Sequence, residues 1–297
     1  MIVGKNSLGN TTSMVASFVY PPPNDGKPFR LNMGLRSLEV EQWLEAGEDL
    51  LAQIVERQQL IQSAREIVYQ ELPGYKAAIS ELVDRIVENL KEFHDRDYII
   101  TSNTVTYLPT DTTISLNSDD VLLQLASVIA EDLVVLARDK NEWKIVAGAV
   151  IFPSRWKLSE KIGKGMDAVH APVPGYATAL APYMTATFDK VTVDRPVWRK
   201  NWSLHSTEHL HQPTSIHEPA SPENYWWRTE RQTLTRAKSG EFMYFTIRNR
   251  AEPLQWIKSE PESSALFAET LASYSPETIE YKGLVKDHQA IVDYLRG

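Results

Sequence analysis

"NYWWRTERQTLTRAKSGEFMYFTIRNR" runs from Asn224 to Arg250. Two stretches rich in Trp, Tyr, Phe, Thr and Ile flank "AKSG", where Gly240 suits a tight turn. The pattern predicts two antiparallel strands joined as a hairpin. Side chains alternate along an extended chain, so Arg228, Glu230 and Gln232 share one face of the first strand. Thr229, Arg231 and Thr233 share the other. The hairpin puts an antiparallel sheet in the C-terminal half, and that choice sets the fold class.

Three further stretches read as strands. "EWKIVAGAVIFP" (142–153) is apolar on both alternations, which suits a central strand covered on both faces. "PVWRKNWSL" places Trp198, Trp202 and Leu204 on one side. "DYIITSNTVTYLP" (97–109) is rich in β-branched residues and closed by Pro109. Ahead of the sheet, a helix is expected from near Ser37 onward, with Val40, Trp43, Leu44, Leu50, Leu51, Ile54 and Val55 at helical spacing, broken by "LPGY" at 72–75. A second amphipathic helix follows, with Leu82, Val83, Ile86, Val87 and Leu90 as its stripe. Asp119 or Asp120 can cap a third, reaching Leu136. The tail from Glu260 reads as helices. Residues 1–28 read as a flexible arm ending in "YPPPNDGKP", and residues 29–297 as one domain. The expected class is α+β: helices, an antiparallel sheet with a helical insert, then helices.

The chain has 297 residues, no cysteine and a formal net charge of -8. Without thiols it has neither disulfides nor thiolate ligands, so any redox centre must be held by His, Tyr, Met or carboxylates. An acidic chain lacks the cationic surplus that phosphate binding needs, which argues against nucleic acid. No apolar run approaches the ~20 residues of a membrane span, and the start does not read as a signal peptide. A cytoplasmic protein is expected.

Histidine is the side chain best suited to hold a metal here. Three of the seven, His205, His209 and His211, fall in "NWSLHSTEHLHQP", and His217 follows. They lack the HExxH pattern and sit among Ser, Thr and Pro, which reads as a loop. His170 ends a Gly-interrupted helical stretch and is followed by "APVPG", whose prolines cannot continue a helix. That fixed backbone among apolar neighbours suits an axial ligand, and equally suits a structural histidine bonded to a carbonyl. "DRPVWRKNW" sets Arg195, Arg199 and Lys200 among tryptophans. Charges within these aromatic strands suit either a salt-bridged solvent face or a lined ligand pocket. No GxGxxG, Walker A or GxSxG pattern occurs.

The segments "FRLNMGLRSL", "EDLVVL", "AGAVIFPSRWKLSEKIGKGMDAVHAPVPGYA", "DRPVWRKNWSL", "RTERQTLTR", "FTIR" and "YKGL", in this order, resemble the heme-dependent oxidative N-demethylase family, similar to the dimethylamine monooxygenase α subunit. The likeness spans roughly residues 29 to 285. It implies a PAS-like antiparallel sheet flanked by helices, elaborated at both ends, that binds heme b. It implies oxygen-dependent removal of a methyl group from a secondary amine, with formaldehyde released. Electrons would come from NADPH through separate reductase subunits carrying FMN and a 2Fe–2S cluster. It also implies His170, in "HAPVPGY", as the proximal ligand, so that the 205–217 cluster is not the metal site. Glu230 is then the candidate anion for a small methylated amine, and Arg231 or Arg199 the candidate to polarise oxygen or pair a propionate. Arg195, Arg199 and Lys161 are the candidate basic partners of the heme. The competing class is a heme-PAS gas sensor or heme-binding protein that does no chemistry.

Overall fold

The computed structural model describes residues 17–47, 49–215 and 218–297. Its elements begin with β1 (Arg36–Ser37), α1 (Leu50–Val68), β2 (Tyr69–Glu71) and α2 (Lys76–Phe93). A small hairpin sheet follows, β3 (Tyr98–Ile100), β4 (Thr104–Tyr107) and β5 (Thr112–Ser115), and then α3 (Val121–Ala126). β6 (Glu131–Asp139) and β7 (Glu142–Ala149) precede an insert of short helices: α4 (Leu158–Lys161), α5 (Met166–His170), α6 (Tyr176–Ala179) and α7 (Ala181–Lys190). The chain returns through β8 (Val197–His205), β9 (Trp226–Arg236) and β10 (Phe242–Pro253), and ends with α8 (Pro261–Ala272), α9 (Pro276–Tyr281) and α10 (His288–Arg296).

The large sheet runs β1-β8-β9-β10-β6-β7-β2, with every adjacent pair antiparallel. Counted one to five in chain order, the central strands β6 to β10 stand three, four, five, one, two across it. The α+β class and the hairpin at "AKSG" are as expected, with Arg236 paired to Met243.

Two expectations are corrected. The stretch "EDLVVL" is strand, not the end of a helix: α3 stops at Ala126 and β6 takes over. Glu131 to Ala137 are all buried, because β6 lies between β10 and β7 with both faces covered. A run buried on both faces has no period that separates strand from helix. The first helix begins at Leu50, not near Ser37. Trp43 and Leu44 are buried, but they sit between a 3-10 turn (Val40–Gln42) and Gly47. Within the expected N-terminal arm, Val19 to Pro21 bond to residues of the sheet. Glu252 accepts from Val19 N at 2.9 Å, Trp227 Nε1 donates to Tyr20 O at 2.7 Å and Lys200 Nζ to Pro21 O at 2.8 Å. Residues 1–16 lie outside the described residues.

Directly paired residues share a sheet face. One face carries Val134, Leu136, Leu234 and Met243, packed under Leu158, Met166, Leu180, Met184 and Phe188 of the insert. The opposite face carries Leu133, Val135 and Ala137, covered by Ile54, Leu82, Ile86 and Leu125 of α1 to α3. Further along it, Leu204 and Trp227 pack on Phe267, Leu271, Ile291 and Leu295 of the C-terminal helices. The insert therefore roofs one side of the sheet, and the terminal extensions cover the other.

Candidate functional site

Backbone bonds hold α5 beside β7. Gly163 N donates to Ile145 O at 2.7 Å and Ile145 N to Lys164 O at 3.2 Å. Gly163 has φ +76°, which a side chain would strain, so the turn into α5 calls for glycine here. Met166 is buried at the start of the helix, and His170 is its last residue. Val173 N bonds back to His170 O at 2.9 Å, and Gly175, at φ +77°, redirects the chain into α6.

His170 Nδ1 lies 2.8 Å from the Met166 carbonyl. A carbonyl only accepts, so Nδ1 carries the proton and Nε2 carries the lone pair. Among the described residues nothing pairs with Nε2. The ring stacks on Tyr176, centroids 5.1 Å apart and planes 14° apart, and the Tyr176 hydroxyl donates to Asp167 at 2.6 Å. Burial pushes the His170 pKa below its usual value; Arg199 and Lys161 push the same way, and the bond to Met166 O opposes. The ring is thus held neutral with one free nitrogen. A carbonyl-bonded structural histidine shows the same Nδ1 contact, but a metal-ligating histidine also needs it, because the second-shell acceptor fixes tautomer and ring plane.

The sheet beneath the insert supplies a polar wall. Arg199 is directly opposite Gln232, and Asn201 opposite Glu230, so these four side chains share the face that carries Leu234. Glu230 is 9% exposed, and its Oε2 accepts from Asn201 Nδ2 at 3.1 Å and Gln232 Nε2 at 2.8 Å. Arg199 makes no ion pair within 4.0 Å among the described residues, and its buried Nε has no partner. Burial lowers its pKa, with Glu230 opposing. Lys282 is also buried; it donates to Trp202 O at 2.8 Å and lies over the Phe29 and Trp202 rings. Burial pushes its pKa down to about 8, helped by Arg155 and Arg199 and opposed by Glu230. Glu230 thus acts electrostatically on both Arg199 and Lys282.

The other anticipated residues divide. Lys161 Nζ donates to Val169 O at 2.7 Å, bracing the end of α5 next to His170. Arg195 is exposed in the turn before β8. Arg231 is not brought to Glu230: it projects to the opposite face. There its Nε meets Glu45 at 3.0 Å, it donates to the carbonyls of Trp43 and Gln42, and it covers the Trp198 ring. Of the histidine cluster, His205 is buried with Nε2 2.7 Å from Ser203 Oγ and Nδ1 2.8 Å from Gln212 Oε1, so both nitrogens are used by the fold. His211 Nδ1 bonds Ile151 O at 2.6 Å, His209 is exposed, and His217 lies outside the described residues. Asn201 and Lys282 escaped the sequence reading. Strand alternation placed Trp198 and Trp202 on one side, which by itself puts Asn201 on the other, beside Arg199. No periodicity singles out Lys282 in "YKGL".

A neutral histidine with a free Nε2, near a desolvated arginine without an acidic partner, fits one axial position plus an anionic rim. A heme with its two propionates offers both. Among the described residues no three His, Asp or Glu side chains converge as a metal-binding set, and axial ligation of heme requires only one histidine. His170 and Arg199 are therefore the residues whose chemistry suits a heme. The chain belongs to the family described as haem-dependent oxidative N-demethylase, alpha subunit-like, whose sequence model matches residues 34–292. No curated protein matches the chain. Among the described residues no helix is long and apolar enough to cross a membrane.

Proposed function

We propose that this chain is the heme b subunit of an oxygenase that removes a methyl group from a small secondary amine such as dimethylamine, releasing formaldehyde. The observation that carries the reading is His170: its Nδ1 is bonded at 2.8 Å to Met166 O, its Nε2 is free, and Arg199 acts on it electrostatically. Heme, when bound, supplies the oxygen-activating redox chemistry. His170 would hold the iron through Nε2. Arg199 would pair a propionate, with Arg195 and Lys161 as further cations. Glu230 would hold the amine as its ammonium ion, because a buried cation without a partner costs several kcal/mol. Arg231 is committed to Glu45 on the far face, so it is not available to polarise oxygen or to pair a propionate.

The strand order and the helical insert support the PAS-like reading. The alpha-subunit description of the family supports separate partner subunits, to which we assign delivery of electrons from NADPH through FMN and a 2Fe–2S cluster. The absence of cysteine fits a chain that carries no thiolate-held cluster of its own. A cytoplasmic setting suits NADPH as donor.

The test is the visible spectrum of the purified, hemin-supplemented protein with and without dithionite, followed by titration with dimethylamine. A Soret band that responds to the amine is expected. A protein that takes up no hemin sinks the reading. A heme protein indifferent to every small amine leaves gas sensing as the surviving function.

A further inference from the structure

Glu230 is bound in a lopsided way. Both protein hydrogen bonds fall on Oε2, from Asn201 at 3.1 Å and Gln232 at 2.8 Å. Oε1 accepts none among the described residues, although the residue is only 9% exposed. The two amides come from positions the sheet dictates. Asn201 is the direct cross-strand partner of Glu230, and Gln232 is the next residue on the same face of β9. A carboxylate can only accept, so each amide must turn its NH2 group toward Oε2 and its carbonyl oxygen away. Asn201 Oδ1 and Gln232 Oε1 then also lack a protein donor. Three acceptor oxygens, one each on Glu230, Asn201 and Gln232, are thus without a protein donor among the described residues, and Arg199 on the same face, whose Nε is unpartnered, makes no hydrogen bond to any of them. Arg199 and Lys282 act on Glu230 electrostatically but make no hydrogen bond to it.

We propose that Asn201 and Gln232 are positioning residues that load one oxygen of Glu230 and reserve the other for an N–H of the bound ammonium ion. The inference rests on the amine-oxygenase reading above and adds a selection rule to it. The site takes ammonium ions that carry N–H groups and discriminates against quaternary ammonium ions of similar size. Charge attraction alone would treat both kinds alike. An aimed oxygen distinguishes them, because a site arranged to hydrogen-bond a ligand group rejects the analogue that lacks it. One charge-assisted hydrogen bond corresponds to a preference of roughly 10- to 100-fold.

The experiment uses the full-length, heme-loaded chain and calorimetric titration with dimethylammonium chloride and with tetramethylammonium chloride. The wild type is expected to bind the first at least ~10-fold more tightly. In Asn201→Ala/Gln232→Ala the carboxylate keeps its charge and loses its aim. Dimethylammonium binding should weaken about 10-fold while tetramethylammonium binding stays within about two-fold, so the preference collapses. A merely structural role would weaken both ions in parallel, and that outcome overturns the proposal. If the double variant does not fold, Asn201→Ala and Gln232→Ala made singly carry the same comparison, each with part of the loss. Asn201→Ser, which retains an O–H donor, should recover part of the preference. Unchanged preference in the single variants overturns the clamp and leaves the oxygenase reading standing. A wild type that binds neither ion while keeping its heme spectrum overturns both.

Discussion

Glu230 and Arg231 are adjacent in sequence and project to opposite faces of the sheet. Glu230 joins Asn201 and Gln232 under the insert, whereas Arg231 joins Glu45 and the Trp43 carbonyl on the far side. The two charges therefore separate experimentally. Glu230→Gln should weaken binding of a cationic amine by roughly 2–4 kcal/mol and also lower stability, because the desolvated cations Arg199, Arg228 and Lys282 lose the carboxylate that acts on them. Arg231→Gln should leave amine affinity alone and destabilise the fold. Glu45 keeps Arg250 at 2.6 Å, so its charge is not orphaned. The loss is accordingly about 2–3 kcal/mol, below the range for a stranded buried ion. Amine titrations and urea unfolding of both variants check this; an affinity loss in Arg231→Gln would show that the face assignment does not govern binding.

His170→Ala should abolish the Soret band of hemin-supplemented protein, or move it to a different ligation state, with the far-ultraviolet dichroism unchanged. His209→Gln together with His211→Gln should retain heme content near wild type. His205→Gln should lower stability, since His205 is 2% exposed and bridges Ser203 and Gln212, and should still bind heme. An unaltered spectrum in His170→Ala would transfer the ligand role elsewhere.

Much of this architecture was legible from local chemistry. The hairpin around Gly240 announced itself because both strands alternate and a turn residue separates them. The helix at 76–93 announced itself through an apolar stripe facing the core, Leu82, Ile86 and Leu90. β6 did not, because both its faces are buried and burial on all sides erases the period. His170 stood out by its place between Gly163 and Pro172. Its decisive feature, the bond to Met166 O, is an i to i−4 contact that appears only once the helix and the rotamer are known. Glu230 was legible as a charge in an aromatic strand. Its two amide donors were not, because the contact with Asn201 joins strands 29 residues apart in sequence.

Acid should destabilise the protein through its buried neutral histidines. Burial lowers the pKa of His205 well below the ordinary histidine value, with Arg155 and Arg228 pushing the same way, and burial likewise lowers that of His170. The unfolded chain then binds more protons than the folded one once the pH falls below ~6.5. Stability is full above that value and is lost as pH drops through it toward the lower folded pKa values. The buried carboxylates Glu131 and Asp132, whose pKa values burial raises, contribute with the opposite sign as the pH falls toward the ordinary carboxylate range. Comparison of wild type with His205→Gln isolates the histidine. Melting temperatures recorded from pH 8 to pH 5 should fall less steeply in the variant, and equal slopes would assign the acid limb to other groups.

The last prediction concerns Arg57 and Asp132, which join α1 to the centre of the sheet. Both side chains are fully buried, and Arg57 Nη1 stands 3.0 Å from Asp132 Oδ1. The pair is well supplied. Arg57 also donates to the carbonyls of Ala126, Ala130 and Glu131, at 2.7, 3.1 and 2.7 Å, and Asp132 accepts from Ile151 N at 2.8 Å and Phe152 N at 3.1 Å. Those amides lie where the chain leaves β7 for the insert that carries His170. Asp132→Asn leaves the Arg57 charge without an ionic partner and trades one acceptor for a donor facing backbone N–H groups. It should cost about 3–5 kcal/mol in urea unfolding. It should also reduce heme content, because the exit of β7 loses its anchor. Asp132→Leu combined with Arg57→Met removes both charges and should restore most of the stability, since desolvation offsets much of the attraction in a buried pair. The carbonyls that Arg57 had satisfied would then be unpartnered, so recovery should stay incomplete by about 1–3 kcal/mol. If the double variant is no more stable than Asp132→Asn, the Arg57 hydrogen bonds to the backbone, and not the ion pair, hold α1 against the sheet.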